Sequence, residues 1–428
     1  MISIYKYNEI KDFLKRYDSR RFNTSEEVSA VVRDIIQTVR EKGDEALIAF
    51  TRQFDHADIE KAGIRVPEDA LEAAAQKIPD RFLSILKKSA DNIRQFHENE
   101  KLSSWIQWRE DGVILGQKVT PLERIGIYVP GGRAVYPSSL LMAAVPAQVA
   151  GVDEICVVSP PDKEGRIHPS ILAAASILGI RHVYKVGGAQ AVAALAYGTQ
   201  KIGPVDKIVG PGNMYVAEAK RQVFGVVDID MVAGPSEVVI LADEAADPDH
   251  AASDLLAQAE HDPAASSILI TPSAGLAEQI QAAVEKQAKT LKRREILESS
   301  LNDFGGILVV KDMNAGVDLV NELAAEHLGL HVKNPWETLA VIRNAGAVFL
   351  GSYSPETVGD YWAGPNHILP TNRTARFSSP LGTMDFQKRS SLIQYTKAAL
   401  SKNAEPIIHF ADTEGLDGHA NAVKQRIR

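Results

Sequence analysis

The run Ile125-Gly126-Ile127-Tyr128-Val129-Pro130-Gly131-Gly132 decides the fold of this 428-residue chain. Its first part has strand character, its last residues form a turn, and an alanine-rich stretch with helical spacing begins near Ser138. A short apolar run, a tight turn and a helix open a βαβ unit, and recurrence of that unit implies a parallel sheet. The pattern returns at Val186-Gly187-Gly188-Ala189-Gln190 and at Gly210-Pro211-Gly212-Asn213. Working outward, strands are expected at Ile125 to Val129, Glu154 to Val158, His182 to Val186, Lys207 to Val209 and Val227 to Asp230. Helices should start near Ser138, Pro169, Ala189 and Asn213. A second series places strands at Val238 to Ala242, Ser267 to Thr271, Ile307 to Val310, Leu328 to Val332 and Ala347 to Leu350, with helices near His250, Leu276, Val317 and Trp336. The fold class is therefore α/β, with two sheets of similar design.

Upstream, Thr24 and Glu27 have capping-box spacing, and Val28, Val31, Val32, Ile35, Ile36 and Val39 repeat at helical intervals until Gly43. The helical texture is expected to continue to about Lys118. Downstream, Ser352 to Gly382 lacks periodicity and is rich in Pro, Gly, Ser, Thr and Asn, as a long functional loop would be. Phe386 to Arg428 reads as helices with polar faces.

Composition narrows the function. With 45% apolar and 24% charged residues the chain is neither disordered nor a membrane protein. A net charge of -8 with no basic patch argues against nucleic acid as a partner. The single cysteine, Cys156, sits in an apolar strand and reads as a buried hydrophobe. The polar start, Met1 to Arg21, lacks a signal-peptide core, so a cytoplasmic location is expected.

In open parallel sheets, ligands bind outside the carboxyl ends of the strands, where glycines let backbone approach them closely. The three glycine-bearing loops together suggest a nucleotide site. None completes G-x-G-x-x-G, since position 215, after Gly210 and Gly212, is Tyr215, and each loop alone is an ordinary turn. Gln258 and His261 are three residues apart at a helix end, a face that could hold a metal ion or simply be solvated. Glu326-His327 stands where a helix passes into a strand, and Asp360 and His367 fall in the long loop. Glu414 and His419 flank Gly415 and Gly418 near the end of the chain. There is no H-E-x-x-H, G-x-S-x-G or P-loop sequence.

Taken together, these segments resemble the histidinol dehydrogenase family over nearly the whole chain. The resemblance is carried by Ile229 to Glu237 with Ser253 to His261, by Ala325-Glu326-His327-Leu328, by the loop from Gly359-Asp360-Tyr361 to Pro370-Thr371, and by Glu414 to His419. Ala251 is a mild departure, as larger aliphatics are usual there. The resemblance implies two incomplete Rossmann-like domains with helical N- and C-terminal extensions in an intertwined homodimer. The partition would be an arm at 1–24, a first domain of 25–124 and 237–380, a second of 125–236, and a helical extension of 381–428. It also implies one Zn²⁺ per subunit on Gln258, His261, Asp360 and His419, with Glu326 and His327 catalytic. Substrate contacts would be Ser236, Gln258, His261, His327, Asp360, Glu414 and His419, with His367 nearby, and NAD contacts Tyr128, Gln190 and Asn213. The implied reaction converts histidinol to histidine through the aldehyde with two NAD per turnover, in shared active sites, with neither nucleic acid nor membrane as partner.

Overall fold

The computed structural model describes residues 2–19, 26–109, 111–131 and 135–428. Thr24, read as a helix cap, and Gly132 of the first glycine loop lie outside them. The expected α/β architecture is present as two all-parallel sheets. In the five-stranded sheet the order is His182–Tyr184, Glu154–Val158, Arg124–Tyr128, Lys207–Val209, Asp228–Ile229. In the six-stranded sheet it is Ile4–Tyr5, Gly306–Val309, Ser266–Thr271, Glu237–Ala242, His327–His331, Ala347–Leu350. Apart from the edge strand Ile4–Tyr5, both are wound alike: the first strand lies inside, the next two add on one side and the last two on the other. Each sheet thus has one reversal of direction, between Arg124–Tyr128 and Lys207–Val209 and between Glu237–Ala242 and His327–His331.

The strands read as continuous apolar runs because helices cover both faces of a parallel sheet. Every residue of Glu237–Ala242, Ser266–Thr271 and His327–His331 is buried. The helix Glu26–Lys42 buries Val32, Ile35, Ile36 and Val39 among Val192, Leu195, Ile208 and Val216 of the five-stranded sheet and its helices. Leu86, Ala90 and Ile93 of the helix Asp80–His97 join the cluster of Ile125, Ile127 and Leu141 on the other face. These helices thus cover the five-stranded sheet, while Ser89 and Asn92 also donate to the Tyr361 and Trp362 carbonyls.

Three further elements differ from expectation. Trp105–Trp108 and Ile114–Pro121, expected to continue the helical texture, are strands, and so is Gln387–Gln394 in the supposedly all-helical end. They form an antiparallel sheet in the order Gln387–Gln394, Ile114–Pro121, Trp105–Trp108, with Lys388 opposite Thr120 and Trp105 opposite Gln117. The pairing of Gln387–Gln394 with Ile114–Pro121 joins residues some 270 positions apart, so a local window contains only half of its signal. The N-terminal arm contributes the edge strand Ile4–Tyr5 and a helix, Ile10–Ser19, whose Ile10, Phe13 and Tyr17 enter the core. The irregular stretch after Gly351 contains a short helix, Glu356–Tyr361.

The chain ends in two helices, Lys397–Thr413 and Asp417–Ile427, packed on each other. Among the described residues no helix is long and apolar enough to cross a membrane.

Candidate active site

The βα crossovers of the six-stranded sheet return each helix to the amino edge of the strands, and the chemistry collects there. The helix Pro248–Ala259, started by the Asp247 side chain accepting from the Asp249 and His250 amides, delivers Gln258 at its last turn and His261 just beyond. The helix Met313–Leu323 is stopped by Ala324 in the left-handed region, φ 46°, and two residues later the chain presents Glu326 and His327 at the start of a strand. The short helix Glu356–Tyr361 puts Glu356 and Asp360 one turn apart on a shared face.

His261, Glu356 and Asp360 offer ligand atoms that all lie within 4.8 Å of one another. The Gln258 carboxamide faces Glu356, and with its nitrogen toward the carboxylate it donates at 3.0 and 3.1 Å to the two oxygens. Burial pushes Asp360 up to about 7. Glu356 is raised by burial and by the carboxylates of Asp360, Glu326 and Asp254. Buried carboxyl groups that cannot all ionise together are what a dication relieves, and the imidazole and oxygen set suits zinc. His261 borders the cavity, yet crowding by protein lowers its pKa and keeps it neutral, as a ligand must be.

His327 is buried, and its Nδ1 lies 3.1 Å from the Glu237 carbonyl oxygen. A carbonyl only accepts, so Nδ1 carries the proton and Nε2 is left as an acceptor. Nε2 is buried without a partner, and desolvation lowers the ring to about 3, holding it neutral. Oε2 of Glu326 lies 3.7 Å from that Nδ1 and accepts from the Glu237 amide at 2.9 Å. His367 is fixed between the Asp360 carbonyl, 3.1 Å from Nδ1, and Ser139 Oγ, 3.3 Å from Nε2. Ser139 belongs to the helix Pro137–Ala150 of the five-stranded sheet, so the two sheets meet here. Between them opens a cavity of about 340 Å³ lined by His261, Arg293 and Tyr361 on one side and Tyr136, Pro137 and Leu141 on the other.

The three glycine loops lie at the carboxyl edge of the five-stranded sheet. Gly210 has φ +110°, and a Cβ there would meet the Tyr128 carbonyl oxygen at 2.2 Å, so only glycine fits. The Tyr128 hydroxyl accepts from the Gly188 amide at 3.1 Å, and burial pushes its pKa up to about 12. Gln190 is buried with neither amide atom partnered, which a bound polar ligand would remedy. Asn213 caps the helix Met214–Val223, accepting from the Tyr215 and Val216 amides. Ser236 precedes the strand Glu237–Ala242 and is partly buried.

Glu414 and His419 stand apart. Both are exposed on the C-terminal helix pair, where they line a recess with Phe410 and Ile407 rather than the cavity of the other residues. Glu356 escaped the sequence reading, although its four-residue spacing from Asp360 was a usable sign.

The sequence profile of histidinol dehydrogenase matches residues 18–427. The chain belongs to the histidinol dehydrogenase family. A histidinol dehydrogenase from Halalkalibacterium halodurans is 54% identical over 396 residues, 92% of this chain and 93% of that protein. One from Chlorobaculum tepidum is 49% identical over 428 residues, 100% of both chains. The crystal structure of histidinol dehydrogenase from Elizabethkingia anophelis superposes with a TM-score of 0.94 at 36% identity, covering 100% of this chain and 98% of that one. Histidinol dehydrogenases are oxidoreductases of histidine biosynthesis, and the shared fold extends to both parallel sheets and the terminal extensions.

Proposed function

We propose that this chain oxidises L-histidinol to L-histidine through the aldehyde, consuming two NAD, in the cytoplasm. The observation that carries the reading is His327: a neutral, buried imidazole with its Nδ1 proton committed to the Glu237 carbonyl and Nε2 bare, beside Glu326. Zinc held by Gln258, His261, Asp360 and His419 would fix the substrate's amino and imidazole nitrogens, and NAD at Tyr128, Gln190 and Asn213 would accept hydride.

Nε2 of His327 takes the hydroxyl proton as the carbinol carbon gives up hydride, leaving the aldehyde. Glu326 removes a proton from a water that adds to the aldehyde carbon, while the proton held on His327 Nε2 passes to the carbonyl oxygen, forming the hydrate. Nε2, having released its first proton, takes one from a hydrate hydroxyl as the second hydride leaves, and the carboxylate forms. The cavity between the sheets shields the aldehyde from solvent between the two steps. Ser236, Glu414 and His419 complete the substrate contacts, with His367 alongside.

Glu414 and His419 reach a site only if it is another subunit's, so the active form is read as an intertwined homodimer. The uncovered apolar side chains of the antiparallel sheet and terminal helices support this, with Trp108 71%, Ile393 73% and Phe410 69% exposed. Following NADH with histidinol tests the assignment. His327→Asn should suppress both oxidations, whereas Glu326→Gln should spare the alcohol step more than the aldehyde step. No turnover of histidinol, or equal loss of both half-reactions in Glu326→Gln, would refute the scheme.

A further inference from the structure

The geometry points to Glu356 as the residue that orients the Gln258 amide so that its oxygen, not its nitrogen, is offered to the metal; this rests on the zinc reading above. An uncharged carboxamide binds zinc through oxygen alone, and its two ends are nearly the same size, so shape cannot select the productive orientation. A neighbour that only accepts can. Glu356, ionised once a dication offsets the neighbouring carboxylates, is such a neighbour: both its oxygens lie opposite one end of the amide, at 3.0 and 3.1 Å when that end is nitrogen. With the amide reversed, carbonyl oxygen would face carboxylate oxygen with no proton between them.

Gln258 is fully buried and Glu356 is 3% exposed, so water cannot substitute for either partner. The two arrive from different elements, the end of Pro248–Ala259 and the start of Glu356–Tyr361. Glu356 also lies within reach of the His261 and Asp360 ligand atoms, which makes direct ligation the competing role. The two roles differ in one respect: a positioning residue acts only through Gln258, whereas a ligand acts whether or not Gln258 is present.

The experiment is a double-mutant cycle on the full-length protein, with zinc affinity measured by competition against a chromophoric chelator and folding monitored by circular dichroism. Glu356→Leu should weaken zinc binding by about 10–100-fold, the range for removing a partner that orients a ligand. Glu356→Gln, which keeps one accepting oxygen, should weaken it less. In a Gln258→Ala background either substitution should change the affinity less than twofold. Unchanged affinity in Glu356→Leu, or the same loss with and without Gln258, overturns the assignment. Should Glu356→Leu fail to fold, the Glu356→Gln cycle carries the same comparison. If the unsubstituted protein holds no zinc, the zinc reading falls and the inference with it. If it holds zinc and the cycle is additive, only the inference falls.

Discussion

Replacing Lys220 by methionine should destabilise the protein by about 3 kcal/mol, and replacing Asp230 by asparagine by about 5 kcal/mol. The two side chains form an ion pair that is 2% and 1% exposed. Removing one member of a buried pair strands the other charge, at about 3–5 kcal/mol, and the partners that remain decide the position in that range. Without Lys220, Asp230 still accepts from the Gly210 and Met231 amides, at 2.8 and 2.6 Å. Without the Asp230 charge, the Lys220 ammonium retains the Gly210 carbonyl, at 3.1 Å. Lys220→Met should therefore be the milder. Thermal melts followed by circular dichroism, at fixed zinc concentration, read the Lys220→Met loss as roughly 3 °C if the whole chain unfolds together, and about 6–12 °C if only the half carrying the pair unfolds. Because the pair also ties both backbone groups of Gly210 in place, KM for NAD should rise with little change in the melting of the rest. A loss below about 1 kcal/mol for Lys220→Met, or a reversed order of the two variants, would refute the reasoning.

Three other outcomes are expected. Glu218 accepts from Arg221, Gln222 and Ser29, and the Arg221 pairing lowers its pKa to about 2. Its stabilisation is present above its unfolded value and lost as pH falls toward about 2, so Glu218→Gln should destabilise by about 1–2 kcal/mol at pH 7 and by progressively less in acid denaturation series. Asp360 has the opposite sign: in metal-free protein its carboxyl is raised to about 7, so the folded state binds more protons and stability falls as pH rises from about 4 to 7. Chelator-treated protein should thus lose melting temperature relative to the zinc-loaded form increasingly over that window, and a constant gap would contradict it. Ala324 turns the chain at φ 46°, so Ala324→Gly should leave stability unchanged or raise it by up to about 1 kcal/mol in urea titration, where glycine elsewhere in an element lowers it.

The two parallel sheets were legible, apart from the edge strand Ile4–Tyr5, because most of their strands are apolar runs bounded by turn residues, as at Glu154 to Val158 and Lys207 to Val209, where expected and observed limits coincide. Trp105–Trp108 and Gln387–Gln394 were not legible, since strands exposed along nearly their whole length carry no periodic burial to read, and the partner of Gln387–Gln394 is also distant in sequence. At the site, Gln258 and His261 stood out through spacing, Glu326 and His327 through adjacency and Asp360 through its place in the irregular loop, and they converge. Glu356 did not: its spacing from Asp360 marks a shared helical face, but its opposition to Gln258, nearly a hundred residues away in the chain, is visible only in the fold. The sequence also suggested that ligands gather at carboxyl strand ends. The glycine loops do lie at carboxyl strand ends, but the carboxylate and imidazole cluster occupies the amino edge of the other sheet.

That arrangement assigns each edge an electrical sign before any side chain is considered. The helices Pro248–Ala259 and Met313–Leu323 both finish beside the carboxylate cluster, so their terminal carbonyls lend it roughly half a negative charge apiece, favouring a cation. The helices Gly188–Tyr197 and Met214–Val223 begin at the glycine loops, where the positive ends of their dipoles favour an anion. One winding used twice thus gives one sheet a cation-favouring edge and the other an anion-favouring edge, a bias set by chain direction that no point substitution can erase.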